Sequence, residues 1–224
     1  MKSILSPTIS LPWDSIDTVL LDMDGTLLDL HFDNFFWAEH IPACYAKRHC
    51  LSLSESKQKL LTFSNSVKGQ LEWYCLDYWS EKLSLDVAAL KKDVDHKISF
   101  RPNVIEFLNF LKNKNKRIIL ATNAHPKTLE LKLMRTDFAG YFNELSSSHE
   151  LGYPKEENAY WEILTQRYEI DAGRSLFIDD SLSVLRAASQ FGIRYILGIS
   201  KPDLQKEEMD CSPYTGIRDF SQLF

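Results

Sequence analysis

No CxxC pair occurs among Cys44, Cys50, Cys75 and Cys211. Neither a zinc site nor a disulfide framework is therefore expected, and the four read as reduced thiols. Met1 to Trp13 holds Pro7 and Pro12 and lacks the apolar run of a signal peptide. No stretch reaches the length of a transmembrane helix. A basic excess is missing too: 26 Lys and Arg stand against 31 Asp and Glu, a net charge of -5. That balance argues against nucleic acid or an anionic membrane as partner, so a phosphate-bearing ligand must be held by a local site. Internal repeats and low-complexity segments are absent. The expectation is a cytoplasmic protein, a monomer or weak dimer. With 224 residues, 44% hydrophobic and 25% charged, the chain suits one large domain or a core with an insertion.

What is present begins at Asp22-Met23-Asp24-Gly25-Thr26, directly after the apolar run Thr18 to Leu21. Two carboxylates two residues apart at the end of a buried strand are costly. Strand alternation points both the same way, and such close like charges raise each other's pKa unless a cation or hydrogen bonds compensate. Gly25 supplies an unusual dihedral or room for a ligand. A strand closing in an Asp-Gly turn explains this segment taken alone. It does not explain the three motifs that follow in order.

Along the chain, Asp17 to Asp22 reads as a short buried strand. Phe32 to Lys97 is helical and rich in aromatics, among them Trp37, Trp73, Tyr74 and Trp79, with no convincing strand. A helix is predicted from Arg101-Pro102 through Leu111. Strands and helices then alternate: strand Arg117 to Ala121, helix Pro126 to Arg135, strand Glu144 to Ser147 and helix Glu156 to Arg167. Strand Ser175 to Ile178, helix Leu182 to Gln190 and strand Arg194 to Leu197 follow, with a surface loop over Lys201 to Ser212. This predicts an α/β fold, a Rossmann-like doubly wound parallel sheet with an inserted helical cap domain. The core is 1–30 and 98–224; the insertion is 31–97. In such folds the ligand sits beyond the carboxyl ends of the strands, at the switch point.

Four elements converge at strand ends: Asp22 with Asp24, Thr122-Asn123, Lys155, and Asp179-Asp180. They supply up to four carboxylates, one ammonium and one hydroxyl. The carboxylate excess suggests a hard divalent cation, Mg2+ with retained waters; the ammonium and hydroxyl suit a phosphate. Each has a plainer reading alone. Thr122-Asn123 could cap the helix before Pro126, Lys155 could be solvated, and Asp179-Asp180 could sit at a helix dipole. Their joint occurrence favours a site. For His125, one residue before a helix start, a structural or solvated role outweighs a substrate contact. The aromatics from Trp73 to Trp79 read first as helix core.

The four motifs resemble those of the haloacid dehalogenase superfamily, whose first motif reads DxDGT at the end of the first strand. The resemblance implies that Asp22 is a nucleophile forming an aspartyl phosphate. Asp24 would be the acid that protonates the leaving oxygen and the base that activates water. Family members that attack carbon lack the second aspartate, so Asp24 favours phosphoryl transfer. Thr122 and Asn123 would hold the phosphate and Lys155 would offset charge. Asp179 and Asp180 would bind Mg2+ with the Asp22 side chain and the Asp24 carbonyl, Asp179 being the favoured direct ligand. The segments DMDGTLLDLHFDNFFW, LEWYCLDYWS, TNAHP, GYPKE and QFGIRYILG further resemble the bacterial GMP/IMP 5'-nucleotidases of that superfamily. They imply hydrolysis of purine nucleoside 5'-monophosphates. Trp37, Trp73, Tyr74 and His125 are the candidate substrate contacts. The rival expectations are a phosphomutase, a phosphatase for a small sugar phosphate, and a non-catalytic phosphate-sensing module.

Overall fold

The computed structural model describes residues 8–224. Strand β1 (Thr18–Leu21) leads into a helical segment. That segment holds α1 (His31–Phe35), a π-helical turn (Phe36–His40), α2 (Ile41–His49), α3 (Leu53–Val67), α4 (Leu71–Tyr74), α5 (Leu76–Leu83) and α6 (Val87–Asp93). The alternating part follows with α7 (Val104–Asn113), β2 (Arg117–Thr122), α8 (Pro126–Thr136), β3 (Glu144–Ser147), α9 (Ser148–Leu151) and α10 (Asn158–Arg167). It closes with β4 (Ser175–Asp179), α11 (Leu182–Phe191), β5 (Tyr195–Ile199) and β6 (Thr215–Ile217).

All strand pairs are parallel, in the order β3-β2-β1-β4-β5-β6. Leu21 of β1 sits opposite Leu120 of β2 on one side and Ile178 of β4 on the other. The order of connection therefore reverses at β1, and the carboxyl ends of β1, β2 and β4 open on one crevice. Both faces are covered, which is why these strands are apolar without a break. Val19, Leu21, Ile118, Leu120, Leu176 and Ile178 pack with Phe107 and Leu111 of α7. Leu20, Ile119 and Phe177, one step out of phase, pack with Trp161 of α10 and Leu185 of α11. The period of two thus builds two layers from one strand set.

The helical segment has its own apolar cluster around Phe32, Phe36, Ile41, Trp79 and Leu83. Within it, Ser52 and Glu55 form a reciprocal capping box that starts α3, which satisfies two of the amide donors a helix start leaves open.

Two expectations about elements differ from the structure, and one strand had no counterpart among them. Helix α7 starts at Val104, not at Arg101, because Asn103 is left-handed at φ 61. Arg101 is instead a buried tie: its guanidinium donates to the carbonyls of Thr26, Lys201 and Arg218 at 3.0, 3.2 and 2.6 Å. Helix α10 starts at Asn158 rather than Glu156, since Glu156 turns to the crevice. The edge strand β6 carries only Thr215, Gly216 and Ile217, too short for an alternation to be read.

Candidate active site

At the mouth of the crevice the backbone N–H of Asp22 donates to the Ile178 carbonyl at 3.0 Å. The main chain is still tied to β4 there while its carboxylate leaves the sheet edge. Lys155, 2% exposed, donates through Nζ to Asp22 Oδ1 at 2.5 Å, to Asp179 Oδ2 at 2.7 Å and to the Ala121 carbonyl at 2.9 Å. Three acceptors match the three donors of an ammonium. The Lys155 main chain is itself fixed, its N–H by Asn123 Oδ1 at 2.9 Å and its carbonyl by the Trp161 indole at 2.8 Å. Burial alone would depress this ammonium, but Asp179 and Asp22 hold it well above its usual value. It stays charged.

Burial pushes Asp22 up to about 6 against the pull of Lys155, and Asp24 likewise up to about 6 against the pull of Lys132. The strand ends at Leu21, so its period of two does not extend to Asp24, and the carboxylates of Asp22 and Asp24 go to different cations. Lys132, on the inward face of α8, donates to Asp24 Oδ1 and to Asp33 Oδ2, both at 2.5 Å. Lys91 of α6 donates to the other Asp33 oxygen at 2.7 Å. Burial would raise Asp33, yet Lys132 and Lys91 outweigh it and hold the carboxyl below its ordinary range. The chain Asp24–Lys132–Asp33–Lys91 therefore joins the first motif to the helical segment. The expectation of a single ammonium at the site is corrected here: a second one faces Asp24.

Gly25 has φ 85, and a Cβ there would stand 2.5 Å from Asp180 Oδ2. Both the left-handed backbone and the close approach require glycine. Asp180 is pushed well up by burial and by the nearby charges of Asp179 and Asp22. Asp179 is engaged at both oxygens, by Lys155 and by the Ser181 N–H at 2.7 Å. Asp180 accepts no side-chain hydrogen bond among the described residues. One oxygen from each of Asp22, Asp179 and Asp180 lies within 4.8 Å of the others, a hard donor set of the kind Mg2+ takes.

Thr122, 1% exposed, accepts the Ala124 N–H at its hydroxyl at 3.0 Å, which leaves the hydroxyl hydrogen free to donate. Asn123 uses Nδ2 on Glu156 at 3.0 Å, so its amide is engaged at both ends. Tyr74 donates its hydroxyl to the other Glu156 oxygen at 2.7 Å, a bond from the helical segment to the turn that precedes α10. His125 caps α8, accepting the Lys127 N–H at Nδ1 at 3.3 Å. Burial and the neighbouring His125 push His149 down to about 4, so that imidazole is neutral.

All of these motif residues line one cavity of about 710 Å3. Asp22, Asp24, Thr122, Lys155, Asp179 and Asp180 form its floor, and Trp37, Leu60, Trp73, Tyr74 and Trp79 of the helical segment form its walls. Every candidate catalytic, phosphate, metal or substrate residue named from the sequence lines it, including Asn123 and His125. Asp33, Lys132 and Glu156 were missed. Each is a charged residue on or beside a helix, and only the partners it meets in the fold set it apart from solvated neighbours.

Comparison with known proteins follows the same lines. The sequence profile of the haloacid dehalogenase-like hydrolases matches residues 16–192. The GMP/IMP nucleotidase YrfG of Escherichia coli (strain K12) is 41% identical over 215 residues, 96% of this chain and 97% of that protein. A phosphorylated carbohydrates phosphatase of Thermotoga maritima is 24% identical over 195 residues, 82% of this chain and 85% of that one. Among solved structures, the HAD phosphatase from Thermococcus onnurineus superposes with a TM-score of 0.75 at 21% identity, covering 91% of this chain and 94% of that one.

Proposed function

This chain belongs to the haloacid dehalogenase-like hydrolases, and from that premise we propose that it hydrolyses purine nucleoside 5'-monophosphates, GMP and IMP above all, to nucleoside and phosphate. The observation that carries this reading is the cavity. Its floor is charged and suited to a phosphoryl group and cation, and its walls are aromatic and apolar. At about 710 Å3 it is in the range of sites that enclose a ligand of nucleotide size. The 41% identity to a GMP/IMP nucleotidase supports the same choice.

In this reading Asp22 attacks phosphorus, the bond from phosphorus to the ester oxygen breaks, and the phosphoryl group rests on Asp22. Asp24 gives its proton to the departing 5'-oxygen. It then takes one from the water that attacks the aspartyl phosphate, releasing phosphate and restoring Asp22. Lys155 keeps Asp22 oriented and offsets charge on the transferring oxygens, and Thr122 donates its hydroxyl to one of them. Asn123, with both ends of its amide occupied, positions Lys155 and Glu156. Asp22, Asp180 and the Asp24 carbonyl would hold Mg2+, which supplies further charge stabilisation to the phosphoryl group. Asp180 is preferred to Asp179 as direct ligand because both Asp179 oxygens are in use. Residues 31–97 act as the cap that selects the ester.

Phosphate release from a panel of nucleoside monophosphates and sugar phosphates tests the reading, with Asp22→Asn as the blank. Preference for GMP and IMP is expected. Preference for a sugar phosphate, or transfer without free phosphate, would overturn it.

Chelation is expected to abolish turnover and Mg2+ to restore it. A second measurement is independent of activity. The raised carboxyls of Asp22 and Asp180 contribute stability that is present below the unfolded carboxyl range and lost as pH rises through their folded values. Mg2+ competes with those protons. Its effect on Tm should therefore grow from about pH 5 to about pH 7.5. An equal shift at both ends would remove these carboxylates from the ligand set.

Trp37 and Trp73 are the proposed base-stacking residues. Tyr74 is held by Glu156 and serves as a tie rather than a platform. Replacing either tryptophan by leucine should lower kcat/KM for GMP against a simple phosphate ester by roughly ten- to a hundredfold. Unaltered selectivity in both variants would assign the two rings to packing alone.

A further inference from the structure

We propose that Cys75, His125 and His149 form a second metal site, for a borderline transition-metal ion of the Zn2+ type, and that its occupation ties the helical segment to the sheet and slows turnover. One ligand atom from each residue lies within 4.8 Å of the other two. Cys75 stands between α4 and α5, in the helical segment; His125 opens α8 and His149 lies in α9, beside the sheet. The three are 50 and 24 residues apart in sequence, so no spacing rule could reveal them.

The geometry of the histidines carries the inference. Their rings meet edge to face with centroids 4.8 Å apart. Both ring nitrogens of His149 are buried without a hydrogen-bond partner among the described residues. Leaving both nitrogens of a buried imidazole unsatisfied is costly, and a metal bond at one of them removes part of that cost. The donor set is one thiolate and two imidazoles, which selects Zn2+ over Mg2+. The carboxylates on the cavity floor have the opposite preference, so each site takes its own ion. Zn2+ bonds of about 2.0–2.3 Å set tetrahedral ligands roughly 3.3–3.8 Å apart. The cluster therefore needs to close by at most about 1–1.5 Å. Coordination through His125 Nε2 requires the proton on Nδ1 and gives up the 3.3 Å bond from Lys127, a long one. Asp77 lies outside this cluster: its Oδ2 is 3.7 Å from His125 Nε2 and its Oδ1 is bonded by Lys127 at 2.5 Å, so the fourth position is left to solvent.

An ion bound here would bridge two bodies that enclose the cavity between them. Slowed turnover rests on the reading above, in which the ester enters and leaves between those bodies. Metal binding itself does not rest on it.

Co2+ added to metal-free protein provides the test. A thiolate-to-cobalt charge-transfer band is expected at one equivalent, and an ion on the carboxylate floor cannot produce it for want of sulfur. Cys75→Ser should abolish the band. It keeps an oxygen to accept the Tyr78 N–H that Cys75 Sγ now accepts at 3.5 Å, so α5 retains its cap. His149→Gln should weaken Co2+ binding by at least about tenfold. With Mg2+ saturating, Zn2+ should lower kcat of the wild type and leave Cys75→Ser untouched. A missing band, or one that survives in Cys75→Ser and so arises at Cys44 beside His40, overturns the site. A band with equal Zn2+ inhibition in wild type and Cys75→Ser overturns the tie. Failure of the nucleotidase reading would look different: no variant would release phosphate from GMP, while the band would remain.

Discussion

Asp22→Asn is expected to lower kcat/KM by at least about 10^4-fold, the scale on which loss of a covalent nucleophile is felt, while Tm stays level or rises. The two halves come from different features. An amide has no free anionic oxygen with which to attack phosphorus. Its neighbours, however, are barely disturbed: the amide oxygen can still accept from Lys155, which also keeps Asp179 at 2.7 Å. The stability half follows from linkage. Burial raises the folded carboxyl of Asp22 to about 6. Its favourable contribution is present below the unfolded value and is lost as pH rises through about 6. Above that range the ionised side chain opposes folding, and the amide removes the charge. Parallel rate assays and thermal melts near neutral pH check both. Loss of activity with a collapsed Tm would mean only that the fold had failed. Substantial residual turnover in a well-folded variant would end the aspartyl-phosphate mechanism.

Lys132→Met should be the most damaging substitution outside the motifs. Lys132 is 1% exposed and stands between two half-buried carboxylates, Asp24 and Asp33, at 2.5 Å from each. Removing it leaves Asp33 with Lys91 alone and Asp24 with no cation bonded to it. Breaking a buried pair from one side costs about 3–5 kcal/mol, a fall of roughly 6–20 °C in Tm for a chain of this size. A kinetic signature separates this from general loosening. Without the ammonium, Asp24 rises further above its value of about 6. At neutral pH the ionised form needed to activate water is then depleted. The aspartyl phosphate should accumulate, and the acidic limb of the kcat profile should move to higher pH. Lys132→Arg should recover much of the stability. An unmoved pH profile in folded Lys132→Met would leave the residue a purely structural role.

The fold and the floor of the site were legible in the sequence because both are written locally. Val19, Leu20 and Leu21 announce a strand buried on two faces. The residues that matter most stand at the last position of such strands or just after it, where the chain opens on the crevice. Asp22, Thr122, Asp179 and Asp180 are of that kind, standing at the ends of β1 and of its two neighbours in the sheet, β2 and β4. Gly25 was legible as a need for glycine; only the structure showed that the need is double, a left-handed φ and the closeness of Asp180.

Tertiary packing decided the rest. Lys132 and Asp33 lie on helices whose charged residues all look alike in one dimension, and an ion pair between α8 and α1 depends on how two bodies 99 residues apart are docked. Tyr74 was named for its ring, but its hydroxyl bond to Glu156 ranks first, and that bond exists only because α4 comes to rest over the start of α10. Cys75, His125 and His149 had no sequence spacing to betray them. A strand end dictates where its next side chain goes. A helix face acquires a function from whatever is packed against it, and the sequence contains that only through the whole fold.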